Sequence, residues 1–113
     1  MPQRDDKIGV HFGKISSAVW DRIKDQPGAI VENAVPLLVR TYRAGTPINY
    51  QPAMKAGLSK KLWLTPETVQ MLNTLSEETG HRRTTLILTA LDLYLDGIYE
   101  SAGPRQISQE RRW

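Results

Sequence analysis

The sequence predicts a mainly α-helical fold with one short antiparallel two-stranded ribbon, formed by two strand–helix–helix units as an intramolecular pseudo-dimer. Three observations lead there. The order strand, helix, turn, helix occurs twice along the 113 residues. Both strand segments alternate in polarity, so each has one face to bury. A lone strand with two helices, roughly 40 residues, also lacks a partner for its backbone hydrogen bonds and a sufficient core. Two copies supply both by pairing their strands and packing four helices beneath them.

The second unit, residues 59–100, is the clearer one. Lys60-Lys61-Leu62-Trp63-Leu64 alternates polar and apolar, Trp63 excepted. Thr65-Pro66-Glu67 then reads as a helix start: a threonine that can cap, a proline for the first helical position, and a glutamate for the positive end of the dipole. Val69, Leu72 and Leu75 follow at helical spacing, and Gly80 supplies a stop. The next helix begins near Thr84, with Leu86, Ile87, Ala90, Leu91 and Tyr94 as its apolar stripe.

The first unit, residues 7–43, comes after an N-terminal arm (residues 1–6) and repeats the order less cleanly. In the segment from Lys7 to Phe12, Ile8, Val10 and Phe12 share one face. Val19, Trp20 and Ile23 mark a short helix. Asp25-Gln26-Pro27-Gly28 breaks the chain, and Pro27 suits the first turn of a second helix. Ile30, Val31, Ala34, Val35 and Leu38 form the apolar stripe of that helix. A shift of 52 places lays Phe12 on Leu64, and a shift of 56 lays Ile30, Ala34 and Leu37 on Leu86, Ala90 and Leu93. The difference, four residues, is about one helical turn, so this unit has the shorter first helix. Gly9 within the strand is a further departure. So is Pro36, whose missing N–H and ring should kink or interrupt the second helix.

Residues 44–58, punctuated by Gly and Pro, read as a linker. Such a length spans at most about 50 Å. That permits pairing of the two strands within one chain, or of like strands between two molecules. Residues 101–113 read as a flexible, polar and basic C-terminal tail, in which Trp113 is a candidate for docking a partner protein.

Composition narrows the function. There is no cysteine, which excludes disulfides, thiolate metal sites and cysteine nucleophiles. The two histidines stand far apart without neighbouring ligands, so no metal is expected. No Gly-rich phosphate loop, paired carboxylates or nucleophile–base pair stands out, so the chain is expected to be no enzyme and to need no cofactor. No apolar stretch approaches the roughly 20 residues that span a bilayer, and no apolar signal segment follows the N-terminus. A cytoplasmic location without a membrane partner is expected. Residues 1–60 hold nine Lys/Arg against five Asp/Glu, and residues 61–113 hold six against seven, so the net +3 divides as +4 and −1. A basic excess favours a polyanionic partner.

The second unit carries a recognisable set of residues. Leu64-Thr65-Pro66-Glu67 marks the strand-to-helix junction, and Leu72, Leu75 and Glu77-Glu78-Thr79-Gly80 the end of the first helix. Arg82-Arg83-Thr84-Thr85-Leu86-Ile87 opens the second helix, which Ala90 and Tyr94-Leu95 close. In these residues and their spacing, residues 60–99 resemble the ribbon-helix-helix family of DNA-binding proteins, the superfamily of the Arc and MetJ repressors. Residues 7–43 look like a degenerate second copy.

The resemblance implies that the ribbon enters the DNA major groove, which its width fits. It also implies that alternate strand residues pointing away from the core read base edges. By position those are Lys7, Gly9 and His11 in the first unit, and Ser59, Lys61 and Trp63 in the second. Lysine donates to guanine O6 and N7, serine serves several bases, and His11 can donate or accept. Trp63 departs from the family's usual polar residue; thymine methyls, sugar or another protein are its candidate contacts. The family anchors phosphates at the start of the second helix, here Arg82, Arg83 and Thr84, with Gln26 and Gly28 as their first-unit counterparts. Taken singly, Lys7 and Lys61 serve equally well as solvated lysines protecting a strand edge, and Arg82-Arg83 as a surface pair.

The function implied is sequence-specific binding of double-stranded DNA, as a transcriptional repressor or plasmid regulator, with self-association on adjacent sites compatible. One alternative is an accessory protein that binds near a conjugative plasmid's transfer origin. Another is an antitoxin-like protein-interaction module that has lost DNA binding, which the exposed Trp63, Gly9 and small net charge would suit. The two unlike strands imply non-identical half-sites.

Overall fold

The computed structural model describes residues 7–102, with side chains described through Leu95. The N-terminal arm and all but the first two residues of the C-terminal tail therefore lie outside the described residues. Six elements succeed one another: β1 (Ile8–Ile15), α1 (Ser17–Ile23), α2 (Pro27–Arg43), β2 (Leu58–Leu64), α3 (Pro66–Thr79) and α4 (Arg83–Ala102). β1 and β2 pair antiparallel within the one chain. The duplicated strand–helix–helix order and the two-stranded ribbon make the expected intramolecular pseudo-dimer.

Local chemistry sets the helix ends. Ser16 caps α1, its hydroxyl accepting from the Val19 N–H at 3.1 Å. α3 opens on Thr65, whose hydroxyl accepts from the Thr68 N–H, with Pro66 in the first turn. It closes on Gly80, left-handed at φ 79°, whose N–H donates to the Ser76 carbonyl. A side chain is disfavoured at that φ, so glycine is the natural residue there. α2 has Pro27 in its first turn as expected, but it runs unbroken through Pro36. One lost backbone bond does not outweigh the burial of Val31, Ala34, Val35 and Leu38 along the same stripe.

The register explains the core. Val10 faces Leu62, His11 faces Lys61, and Phe12 faces Lys60. Val10, Phe12, Ile15, Leu62 and Leu64 turn inward and are buried. They pack with α2, α3 and α4 side chains in one cluster, α2 lying chiefly on α4. Ile8, expected inside, is 42% exposed; it opens the strand at the ribbon's corner, beyond the cover of the helices. Lys60 sits on the inner face by parity, but its stem snorkels out and sets the ammonium 5.0 Å from the centroid of the Trp20 ring.

β1 runs three residues past the expected Phe12, through a bulge between Gly13 and Ile15 where Lys14 takes a positive φ of 61°. The linker fastens this bulge, since the Met54 N–H donates to the Lys14 carbonyl at 2.8 Å. It is also docked elsewhere. Tyr50 stacks on His81 with centroids 4.1 Å apart, and the Gln51 N–H donates to the buried Thr89 hydroxyl at 2.9 Å. Burial, and then the neighbouring Tyr42, push the Tyr50 phenol above its ordinary pKa. The segment between the units is thus a strap laid over α4.

Candidate nucleic-acid interface

The ribbon's outer face is built from three cross-strand pairs: Gly9 with Trp63, His11 with Lys61, and Gly13 with Ser59. Under the shift that lays Phe12 on Leu64, Val10 falls on Leu62, its partner across the ribbon. The pseudo-twofold axis therefore passes through that pair, and it exchanges His11 with Trp63 and Gly9 with Lys61.

Five of the six residues assigned to base reading come together here: Gly9, His11, Ser59, Lys61 and Trp63 are all exposed on one face. Lys7 does not join them. It precedes the strand, and its ammonium lies 3.2 Å from the Glu32 carboxylate on α2. In its place the register supplies Gly13, which alternation from Lys7 to Phe12 could not reveal because the bulged extension of β1 lay beyond it. The His11 imidazole lies over Gly13, and any Cβ there would collide with the ring. At the other end a Cβ on Gly9 would lie 3.3 Å from Trp63 Cζ3 and 3.2 Å from Lys61 Cδ. Each outward glycine is thus a bed for a long side chain. Lys61 completes the arrangement with its ammonium 5.3 Å from the centroid of the Trp63 ring.

The two second helices flank the ribbon. A Cβ on Gly28, in the first turn of α2, would fall 2.9 Å from the Trp63 carbonyl oxygen, so the N-terminus of α2 abuts the Trp63 end. α4 packs in turn against β1. Gln26 ends α2 without a side-chain cap, and neither α2 nor α4 has an acidic residue in its first turn, whereas α3 has Glu67. The first turns of α2 and α4 thus carry no carboxylate of their own, although Asp25 directly precedes the α2 cap. Arg82 and Arg83 are exposed, and neither guanidinium has an ion-pair partner among the described residues. Glu77 shares an open groove with both and tempers their field. Thr84 is half-buried in the first turn of α4.

Gly28→Ala should show that the close approach of α2 to β2 is required. The backbone carbonyl cannot swing aside as a side chain could, so a loss of at least about 1 kcal/mol is expected, read as a lower urea midpoint.

Sequence reasoning missed Glu32. Its carboxylate accepts the Thr65 N–H at 2.6 Å as well as the Lys7 ammonium. The signal was three-dimensional: nothing in the spacing of Glu32 and Thr65 announces a contact between the units.

No group of three or more His, Cys, Asp or Glu among the described residues is placed to hold a metal ion, and no described helix is long and apolar enough to cross a membrane. The chain matches no family model, no curated protein and no solved structure.

Proposed function

We propose that the protein binds double-stranded DNA sequence-specifically, by binding alone and without catalysis, with the β1–β2 ribbon in a major groove. The observation that carries this reading is the outer face itself. It is a two-stranded surface of groove-compatible width, free of acidic residues, presenting His11, Ser59, Lys61 and Trp63. The first turns of α2 and α4, which hold no acidic residue, suit phosphates on either side. The likeness of residues 60–99 to ribbon-helix-helix proteins, with residues 7–43 as a degenerate copy, agrees with it. A cytoplasmic repressor or plasmid regulator is the preferred role. An accessory factor at a plasmid transfer origin is the nearest alternative.

A salt titration of duplex affinity tests the reading. A phosphate-anchored complex loses affinity with a log–log slope of about −0.9 per neutralised phosphate. Arg83→Ala should weaken all duplexes alike and reduce the slope by about one. Lys61→Ala should weaken binding at particular bases, by about 1–3 kcal/mol. A second reading, a protein-interaction module, draws on the 55% exposure of Trp63. Absence of any duplex binding at low salt would select it.

A further inference from the structure

The two halves of the ribbon are unequal in a way that gives the target a direction. We propose that Trp63 reads thymine methyl groups in one half of the site, with no counterpart in the other half. This rests on the DNA-binding reading above. The axis through Val10 and Leu62 exchanges Trp63 with His11 and Lys61 with Gly9. One equivalent set therefore carries an indole and an ammonium, and the other an imidazole and no side chain at all. Lys7, the equivalent of Ser59, is occupied by Glu32.

The chemistry of the groove identifies what Trp63 meets. Its six-membered ring packs over Gly9, and the residue is 55% exposed; eight of the nine indole ring atoms are carbon, so an exposed indole is mainly an apolar surface. A base edge pressed against ring carbon loses water. Guanine O6 and N7, adenine N6 and cytosine N4 would each lose a hydrogen-bond partner there, which is costly. Thymine alone presents an apolar group in the major groove, its C5-methyl. The Lys61 ammonium beside the ring adds a donor for a neighbouring guanine without asking anything of the thymine.

The test starts from duplexes selected by the full chain from a random library at low salt. Each thymine of the selected site is then replaced singly by deoxyuridine, which removes only the methyl group. Affinity is compared for the wild type and for Trp63→Ala, whose fold is checked by circular dichroism; Trp63→Gln, which keeps bulk but offers no apolar face, serves if the alanine variant does not fold. The expected result is a loss of about fourfold per contacted methyl, confined to one half of the site, and abolished or reduced in the Trp63 variant. Three results overturn the inference while leaving DNA binding intact. They are insensitivity to every replacement, equal sensitivity in both halves, and sensitivity that persists unchanged in the variant. A site selected without any required thymine overturns it too. If no duplex is selected, the DNA-binding reading fails and takes this inference with it.

Discussion

Phe12→Ala is expected to cost about 3–5 kcal/mol of folding free energy, the range for truncating a fully buried aromatic side chain. Phe12 is 0% exposed and the bulkiest of the fully buried side chains. It lies on the inner face of β1, facing the helices where the ribbon closes the core. Its removal takes away both the transfer free energy of the ring and the contacts of the atoms left lining the void. A domain of this size has about 5–15 kcal/mol in total, so the variant stands near unfolding. Urea denaturation reads this as a large fall in midpoint at an unchanged slope. Trp63→Ala is the control on the same ribbon. Being on the outer face and 55% exposed, it should shift the midpoint by clearly less than Phe12→Ala does. A larger effect of Trp63→Ala than of Phe12→Ala would mean that the ribbon's inner and outer faces have been exchanged.

Glu32→Ala should cost about 1.5–3 kcal/mol, the range for a hydrogen bond to a charged group. Two interactions are lost, and they are not equal. The ion pair with Lys7 is partly exposed, with side chains 31% and 21% accessible, so solvent screens it and its share is small. The bond from the Thr65 N–H, at 2.6 Å, is the larger share. Thr65 caps α3, and in a common capping arrangement a glutamate three residues on would accept this N–H. Here that place is held by Thr68, whose hydroxyl meets the Thr65 hydroxyl at 3.0 Å instead. Glu32 supplies the missing carboxylate from the other unit. Glu32→Gln keeps an acceptor for Thr65 while losing the charge, so it should retain more stability than Glu32→Ala. Thermal unfolding of the pair of variants reads the division. A glutamine variant as unstable as the alanine one would place the weight on Lys7.

Much of the fold was readable from residues alone. Thr65, Pro66 and Gly80 bound α3 because capping, proline and left-handed glycine act within a few residues, and local sequence carries that information. The paired strands were legible in the polarity alternation of Val10, Phe12, Leu62 and Leu64. What escaped depends on contacts distant in sequence. The extension of β1 to Ile15 is held by the Met54 N–H on the Lys14 carbonyl, a bond between the first strand and the linker. The exchange of Lys7 for Gly13 on the outer face comes from register, which pairs Gly13 with Ser59 and which alternation cannot supply. The continuity of α2 through Pro36 reflects tertiary burial overriding a local penalty. Of the candidate site, the outward residues of β2 were legible in full and those of β1 in part.

β1 finds its partner on the same polypeptide, so forming the surface involves no encounter between molecules. A two-subunit binder falls apart on dilution, because its folded form depends on protomer abundance; this ribbon does not. A handful of molecules per cell would be as competent, one by one, as a crowd. Each strand is also free to change without altering a twin, which is how a lysine and an indole come to face a glycine and an imidazole.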